Sequence, residues 1–178
     1  RSTDAGTTWS YRYDINDFWE TLCASIEDED LVVFAGVEMW RSTNGGGSFS
    51  KVNNWWDYYG DIVNKLHADF PGTECVWIDG IGERFYIATE GGLDKSDDGI
   101  ASVTNISLDY LGVSQYYSTH TSINDPTLIL AGAQDQGYQR STGAAIGYWR
   151  DFDQLWSGDY GHLTSGDGSH EYVYSVYP

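Results

Sequence analysis

Ser2-Thr-Asp-Ala-Gly-Thr-Thr-Trp9 and Ser42-Thr-Asn-Gly-Gly-Gly-Ser-Phe49 are the same turn written twice. Each opens on Ser, carries an acid or amide two residues later, then Gly, then a hydroxyl, and closes on an aromatic ring. The chemistry is local. An Asp or Asn side chain accepts hydrogen bonds from the amides of its own turn, and Gly takes the positive-φ position. The residues read as turn staples are therefore Ser2, Asp4, Gly6 and Trp9, then Ser42, Asn44, Gly46 and Phe49. A shortened copy is read at Ser96, Asp97 and Gly99, and an eroded one at Ser141. The closing aromatic is expected to pack beneath its hairpin.

Working outward, each Ser is preceded by an apolar strand, a short Gly-bearing turn and a second strand. Leu31–Asn44, Arg84–Asp97 and Thr127–Thr142 align in this way. The Ser anchors are spaced 40, 54 and 45 residues apart, the period of a four-stranded propeller blade. The expected fold is all-β, with blades of four antiparallel strands, A to D from the axis outward. Residues 1–10 end one blade, 11–53, 54–106 and 107–151 form three, and 152–178 begin another. Strand C is placed at Met39–Ser42, Leu93–Ser96 and Tyr138–Ser141, and strand D of the third blade near Tyr148–Asp151. A short helix fits only within Trp56–Leu66. So few blades predict an incomplete arc of a larger propeller, completed by the rest of a longer chain or by other chains. Arg1 in place of Met likewise reads as a processed, trimmed or partial start.

The hairpins and their spacing resemble the Asp-box (BNR-repeat) propellers, and more closely the sortilin-like and xyloglucanase-like group of secreted bacterial proteins. That group's Gly-x-Gln-Asp-Asn-Gly pattern has its counterpart in Gly132-Ala-Gln134-Asp135-Gln136-Gly137. Its Trp and Gly-Gly-Asp-Gly segments correspond to Trp149 or Trp156 and to Ser157-Gly158-Asp159-Tyr160-Gly161. Gln136 replaces Asn, Tyr160 interrupts the last motif, and His67-Ala-Asp69-Phe-Pro71 lacks the second His of the group's His-x-Asp-x-His segment. The resemblance implies an extracellular or cell-surface protein and is specific for fold rather than for reaction.

Bulk properties narrow the function classes. The formal net charge is −18, which lacks the cations that nucleic acid requires. Clustered Asp oxygens leave a structural calcium conceivable; no cofactor is otherwise expected. No apolar run reaches the length of a membrane span. Cys23 and Cys75 allow at most one disulfide, and their pairing is open.

Blade geometry sorts the polar residues by loop. A–B and C–D turns share one end of a blade, and B–C and D–A loops share the other, where ligands sit. The D–A loops supply Trp55, Trp56, Tyr58, His67, Trp156, Asp159 and Tyr160, and the B–C loops supply Glu38, Glu90, Gln134, Asp135 and Gln136. Aromatics beside carboxylates and amides suit sugars, because rings cover apolar pyranose faces while polar groups bond hydroxyls; the same rings could simply fill gaps between blades. Glycoside hydrolysis needs two carboxyls. Asp57, Asp69, Asp135 and Asp159 are the candidates, and nothing in the sequence pairs any two. His67 with Asp69 offers two metal ligands, too few to hold an ion alone. Three functions follow: a binding module for glycans or proteins, a xyloglucanase-like glycoside hydrolase, and a structural part of a surface assembly.

Overall fold

The computed structural model describes residues 1–14, 19–108, 114–143, 145, 147, 150–169 and 171–176. These form an all-β protein of antiparallel meanders, the unit from which propeller blades are made. The first sheet holds β1 (Trp19–Ala24), β2 (Val32–Gly36), β3 (Met39–Ser42) and β4 (Ser50–Lys51) in that order. The second holds β5 (Gly72–Ile78), β6 (Gly82–Thr89), β7 (Gly92–Ser96) and β8 (Thr104–Asn105). The third holds β9 (Tyr116–Thr121), β10 (Ile129–Ala133), β11 (Gly137–Ser141) and β12 (Asp153–Trp156). A two-stranded pair, β13 (Leu163–Ser165) and β14 (Val173–Ser175), follows. The chain divides into two compact units, Arg1–Tyr110 and Leu111–Pro178.

Period-2 alternation builds the core of the first unit. In β6, Phe85, Ile87 and Thr89 are buried while their neighbours are only half covered. Successive strand residues face opposite sides, so one face is given wholly to packing. Leu31, Val33, Ala35 and Met39 from the first sheet meet Phe85, Ile87, Ile100 and Val103 from the second, with Leu66 and Phe70 of the connector between β4 and β5. Each large side chain buried this way contributes roughly 1.5–3 kcal/mol. The core of the second unit is Leu128, Leu130 and Leu163, flanked by Tyr138 and Val173.

One row of the second sheet breaks this apolar pattern. Cross-strand partners run Thr73, Ile87, Asp94, Asn105 from β5 to β8. Asp94 is 0% exposed. Neither of its carboxyl oxygens has a hydrogen-bond partner among the described residues, nor do Thr73 Oγ1 and Asn105 Nδ2. Burial alone lifts the Asp94 carboxyl from 3.8 to about 7. Asn105 also opens Asn105-Ile-Ser107, a glycosylation sequon. It is buried, and its Oδ1 accepts from the amide and hydroxyl of Ser107, so this sequon offers no exposed acceptor.

The hairpins repeat one hydrogen-bond pattern three times. Ser2 Oγ accepts from the Gly6 amide, Ser42 Oγ from Gly46, and Ser96 Oγ from Ile100, each at 2.9 Å. Asp4, Asn44 and Asp98 then accept from the amides of Thr8, Ser48 and Ser102 at 2.9, 2.9 and 3.0 Å. The third copy is thus full length, and its staple is Asp98. Asp97 instead forms an ion pair with Arg84 and Lys95 on the hairpin's flank. Ile100 stands at φ 62° where Gly6 and Gly46 stand at 84° and 83°; its side chain is needed in the core, which outweighs the backbone penalty. The aromatic positions also differ from expectation. Phe49 packs between Phe34 and Tyr13, but Trp9 lies exposed and holds its hairpin by donating Nε1–H to the Gly6 carbonyl.

Strand placement follows the sequence reading closely for β3, β7 and β11. It fails for the outer strand of the third sheet, which lies at Asp153–Trp156. Phe152 stacks on Tyr116, 5.5 Å between ring centres, and β12 begins only after that contact. Of the expected position near Tyr148–Asp151, Tyr148 and Trp149 fall outside the described residues. No helix among the described residues is long and apolar enough to cross a membrane.

Candidate functional site

In the first unit the connector from residue 52 to 71 crosses the ends of both sheets and bonds to their β2–β3 and β6–β7 turns. The Asp69 and Phe70 amides donate to the Val37 and Gly36 carbonyls at 3.1 and 3.0 Å, and the Glu90 amide donates to the Asp69 carbonyl at 3.1 Å. Asp69 sits at φ 60° to make this crossing. The Ser42 hairpin lies at the other end, where the Gly45 amide donates to the Asp30 carbonyl in the β1–β2 turn. Within this unit, B–C and D–A loops therefore share one end and the stapled hairpins the other.

The connector begins with a 3-10 turn over Trp55–Gly60. Asn54 and Asp57 start it: the Asp57 carboxylate accepts from the Asn54 amide at 3.0 Å, and the Asp57 amide donates back to the Asn54 carbonyl at 3.0 Å. Asn53 braces the far end of the loop, exchanging two hydrogen bonds with the Leu66 backbone. On this frame Trp55, Trp56 and Tyr59 are 42%, 54% and 46% exposed. Their rings meet edge to face, Trp55 to Trp56 at 5.6 Å and Trp55 to Tyr59 at 6.1 Å. Ile62 and Val63 extend the exposed apolar surface.

Beneath the rings the site is polar and fixed. His67 is buried, edge-on to Tyr58 at 4.7 Å, with Tyr59 Oη 3.4 Å from its Nε2. Gly91 makes room for it, because a Cβ there would lie 2.5 Å from His67 Cβ. Glu38, in the β2–β3 turn, accepts the Trp55 amide at 3.0 Å and pairs with Lys51. The Lys51 ammonium in turn lies 5.3 Å from the Trp40 ring centre. Sequence reasoning selects Glu38, Trp55, Trp56, Tyr58, His67 and Glu90 but passes over Tyr59 and Lys51. The aromatic run Trp55-Trp-Asp-Tyr-Tyr59 is the signal for Tyr59; for Lys51, a strand residue, there is none.

In the second unit the two motif segments do come together. Gln136 bridges Gly158 in parallel, the Asp135 amide donates to Asp159 Oδ1 at 2.9 Å, and the Tyr160 amide donates to the Ala133 carbonyl at 3.1 Å. Gln139 and Gln154 both donate to the Gln136 carbonyl, at 3.0 and 2.9 Å, and Tyr117 donates its hydroxyl to Gln134. Asp135 is at φ 58°. A Cβ at Gly132 would lie 2.5 Å from the Gly161 carbonyl oxygen, so the segments touch backbone to backbone. The Asp159 carboxylate shapes this turn by holding the Asp135 amide. Trp156 is part of β12 opposite Tyr138, and its ring is exposed. A separate cavity of about 500 Å³ is lined by Leu128, Leu130, Leu155 and Val173, with Arg140 and Asp125; no motif marks it because strand residues form most of its wall.

Of the four candidate acids, Asp57 and Asp159 are engaged in building their own turns. Among the described residues, no group of three or more His, Cys, Asp or Glu is placed to hold a metal ion.

No protein-family model and no curated protein matches the chain. Among solved structures it is similar to an ancestral GH74 enzyme, with TM-score 0.40 and 13% identity over 83% of this chain and 20% of that one. It is also similar to YCF48 bound to D1 peptide, with TM-score 0.39 and 18% identity over 93% of this chain and 50% of that one. A third likeness is to the computationally designed Ika4 protein, with TM-score 0.32 and 11% identity over 94% and 95% of the two chains. The chain thus spans a fifth of the length of the first and half of the second. Residues do not correspond one to one at such scores, and no residue role passes from these proteins to this chain.

Proposed function

We propose that this chain is part of an extracellular or cell-surface Asp-box propeller that acts as a glycan-binding module, with the connector at Trp55–Val63 as its contact surface. The observation that carries this reading is three exposed aromatic rings on a turn braced by the Asn54–Asp57 and Asn53–Leu66 hydrogen bonds. Large exposed aromatics on a braced loop lose little conformational freedom when a ligand arrives, and each ring offers an apolar face to a sugar. The Glu38–Lys51 pair beside Trp55 supplies both an acceptor and a donor for hydroxyls. Binding is favoured over hydrolysis because the Asp57 and Asp159 carboxylates serve their own turns.

The test is affinity electrophoresis of the purified protein through a panel of neutral polysaccharides, with Trp55→Ala and Trp56→Ala variants alongside. Retardation by at least one polysaccharide, lost by tenfold or more in the double variant at unchanged melting temperature, is the expected result. Equal retardation of the variant would move the site elsewhere. No retardation by any glycan would leave a protein ligand as the better reading, and release of reducing sugar would establish the hydrolase alternative.

A further inference from the structure

The innermost strands of the first two sheets, β1 and β5, pack side by side. One bond sets their alignment, the Thr73 amide donating to Thr21 Oγ1 at 3.0 Å. Two residues beyond Thr21 and Thr73 stand Cys23 and Cys75. The strands run in the same direction here: further along, Ser25 and Ile26 bond to Glu83, whose cross-strand partner in β5 is Trp77. Residues two apart on a strand face the same side, so an alignment that brings 21 to 73 also brings 23 to 75. Across the ladders Cys23 pairs with Val33 and Cys75 with Phe85. Both thiols are half-buried against the same apolar cluster.

We propose that Cys23 and Cys75 form one intramolecular disulfide that ties β1 to β5 across the boundary between the first two sheets. The oxidant is a small-molecule disulfide of the glutathione class. One cysteine thiolate attacks it and expels a glutathione thiol, leaving a mixed disulfide. The second cysteine then attacks the protein-bound sulfur and expels the second glutathione. The protein loses two protons and two electrons, and the oxidant takes up both as two thiols. Such a bond belongs in an oxidising compartment, and it does not depend on what the connector binds.

Burial raises both thiols, Cys75 to about 12 with Glu83 beside it. Few thiolates then exist in the folded, reduced protein, and exchange there is slow. The bond is therefore made during folding, while the strands are still accessible, and is shielded afterwards.

The experiment refolds the reduced, denatured protein in a glutathione redox buffer, blocks remaining thiols with iodoacetamide, and measures intact mass and a non-reducing peptide map. The expected result is a loss of two hydrogens, a cross-linked peptide containing positions 23 and 75, and a melting temperature about 5–10 °C above the reduced form. Cys23→Ser and Cys75→Ser should each leave one thiol that is alkylated or carries glutathione. Two alkylated thiols in the refolded native-sequence protein, or stable glutathione adducts at both, would overturn the proposal; that readout needs no variant to fold.

Discussion

Asp94 is the residue whose chemistry is most at odds with its surroundings. Its neutral form is favoured in the folded protein, with the carboxyl raised from 3.8 to about 7. Between about pH 4 and pH 7 the unfolded chain therefore holds fewer protons at this position than the folded one. Its contribution is fully present below about pH 4 and is lost as pH rises through 7. Asp94→Asn keeps the shape without the charge. In urea unfolding the variant should be more stable than the native protein at pH 8, by about 2–4 kcal/mol, since each tenfold change in proton affinity on folding is worth roughly 1.4 kcal/mol. At pH 4 the two proteins should be close. Parallel stability curves across that range would show that Asp94 is solvated after all. Ile100 poses the opposite balance. Gly in its place relieves a positive-φ strain of roughly 1–3 kcal/mol but removes a side chain only 1% exposed in the core. Losing a buried side chain of that size costs about 2–5 kcal/mol, so Ile100→Gly should lower stability by about 1–2 kcal/mol in the same assay.

At the scale of the hairpin, Asp97 and Asp98 separate a surface contact from a staple. Asp98 accepts from the Ser96 hydroxyl, the amides of Ala101 and Ser102, and the Ser102 hydroxyl. Asp97 pairs with Arg84 and Lys95 at a side chain 39% exposed. Truncating the staple should cost about 1–2 kcal/mol through the orphaned amides, and truncating the solvent-screened pair less; thermal melts of Asp98→Ala and Asp97→Ala decide the order. This hairpin also shows what a sequence conceals. Gly6 and Gly46 announce a left-handed turn, and Ile100 in the same conformation hides one, so the third copy reads as shortened. Strand β3 is legible because Met39 and Ser42 bracket a turn on each side. Strand β12 is not, because all four of its residues are exposed and carry no alternation. In the connector the aromatic run is plain, whereas its brace of Asn53 on Leu66 and Glu38 on Trp55 joins residues 13 and 17 apart, which no local pattern encodes.

For the molecule as a whole, the two compact units differ in how much they bury. Among the described residues the core of the first joins both sheets and the connector, while that of the second rests on three leucines. Smaller cores open more readily. Hydrogen exchange followed by mass spectrometry should therefore label β9–β14 faster than β5–β7, and equal protection would show that the second unit draws support from elsewhere. The connector has a different consequence. Its Asp69 and Phe70 amides bond to the Val37 and Gly36 carbonyls, and its Asp69 carbonyl accepts from the Glu90 amide; such main-chain bonds are indifferent to side-chain identity. The outward positions 55, 56, 62 and 63 can thus drift under selection without loosening the sheets. In evolutionary terms the loop is a replaceable cassette: a lineage can change what it recognises while inheriting the scaffold intact.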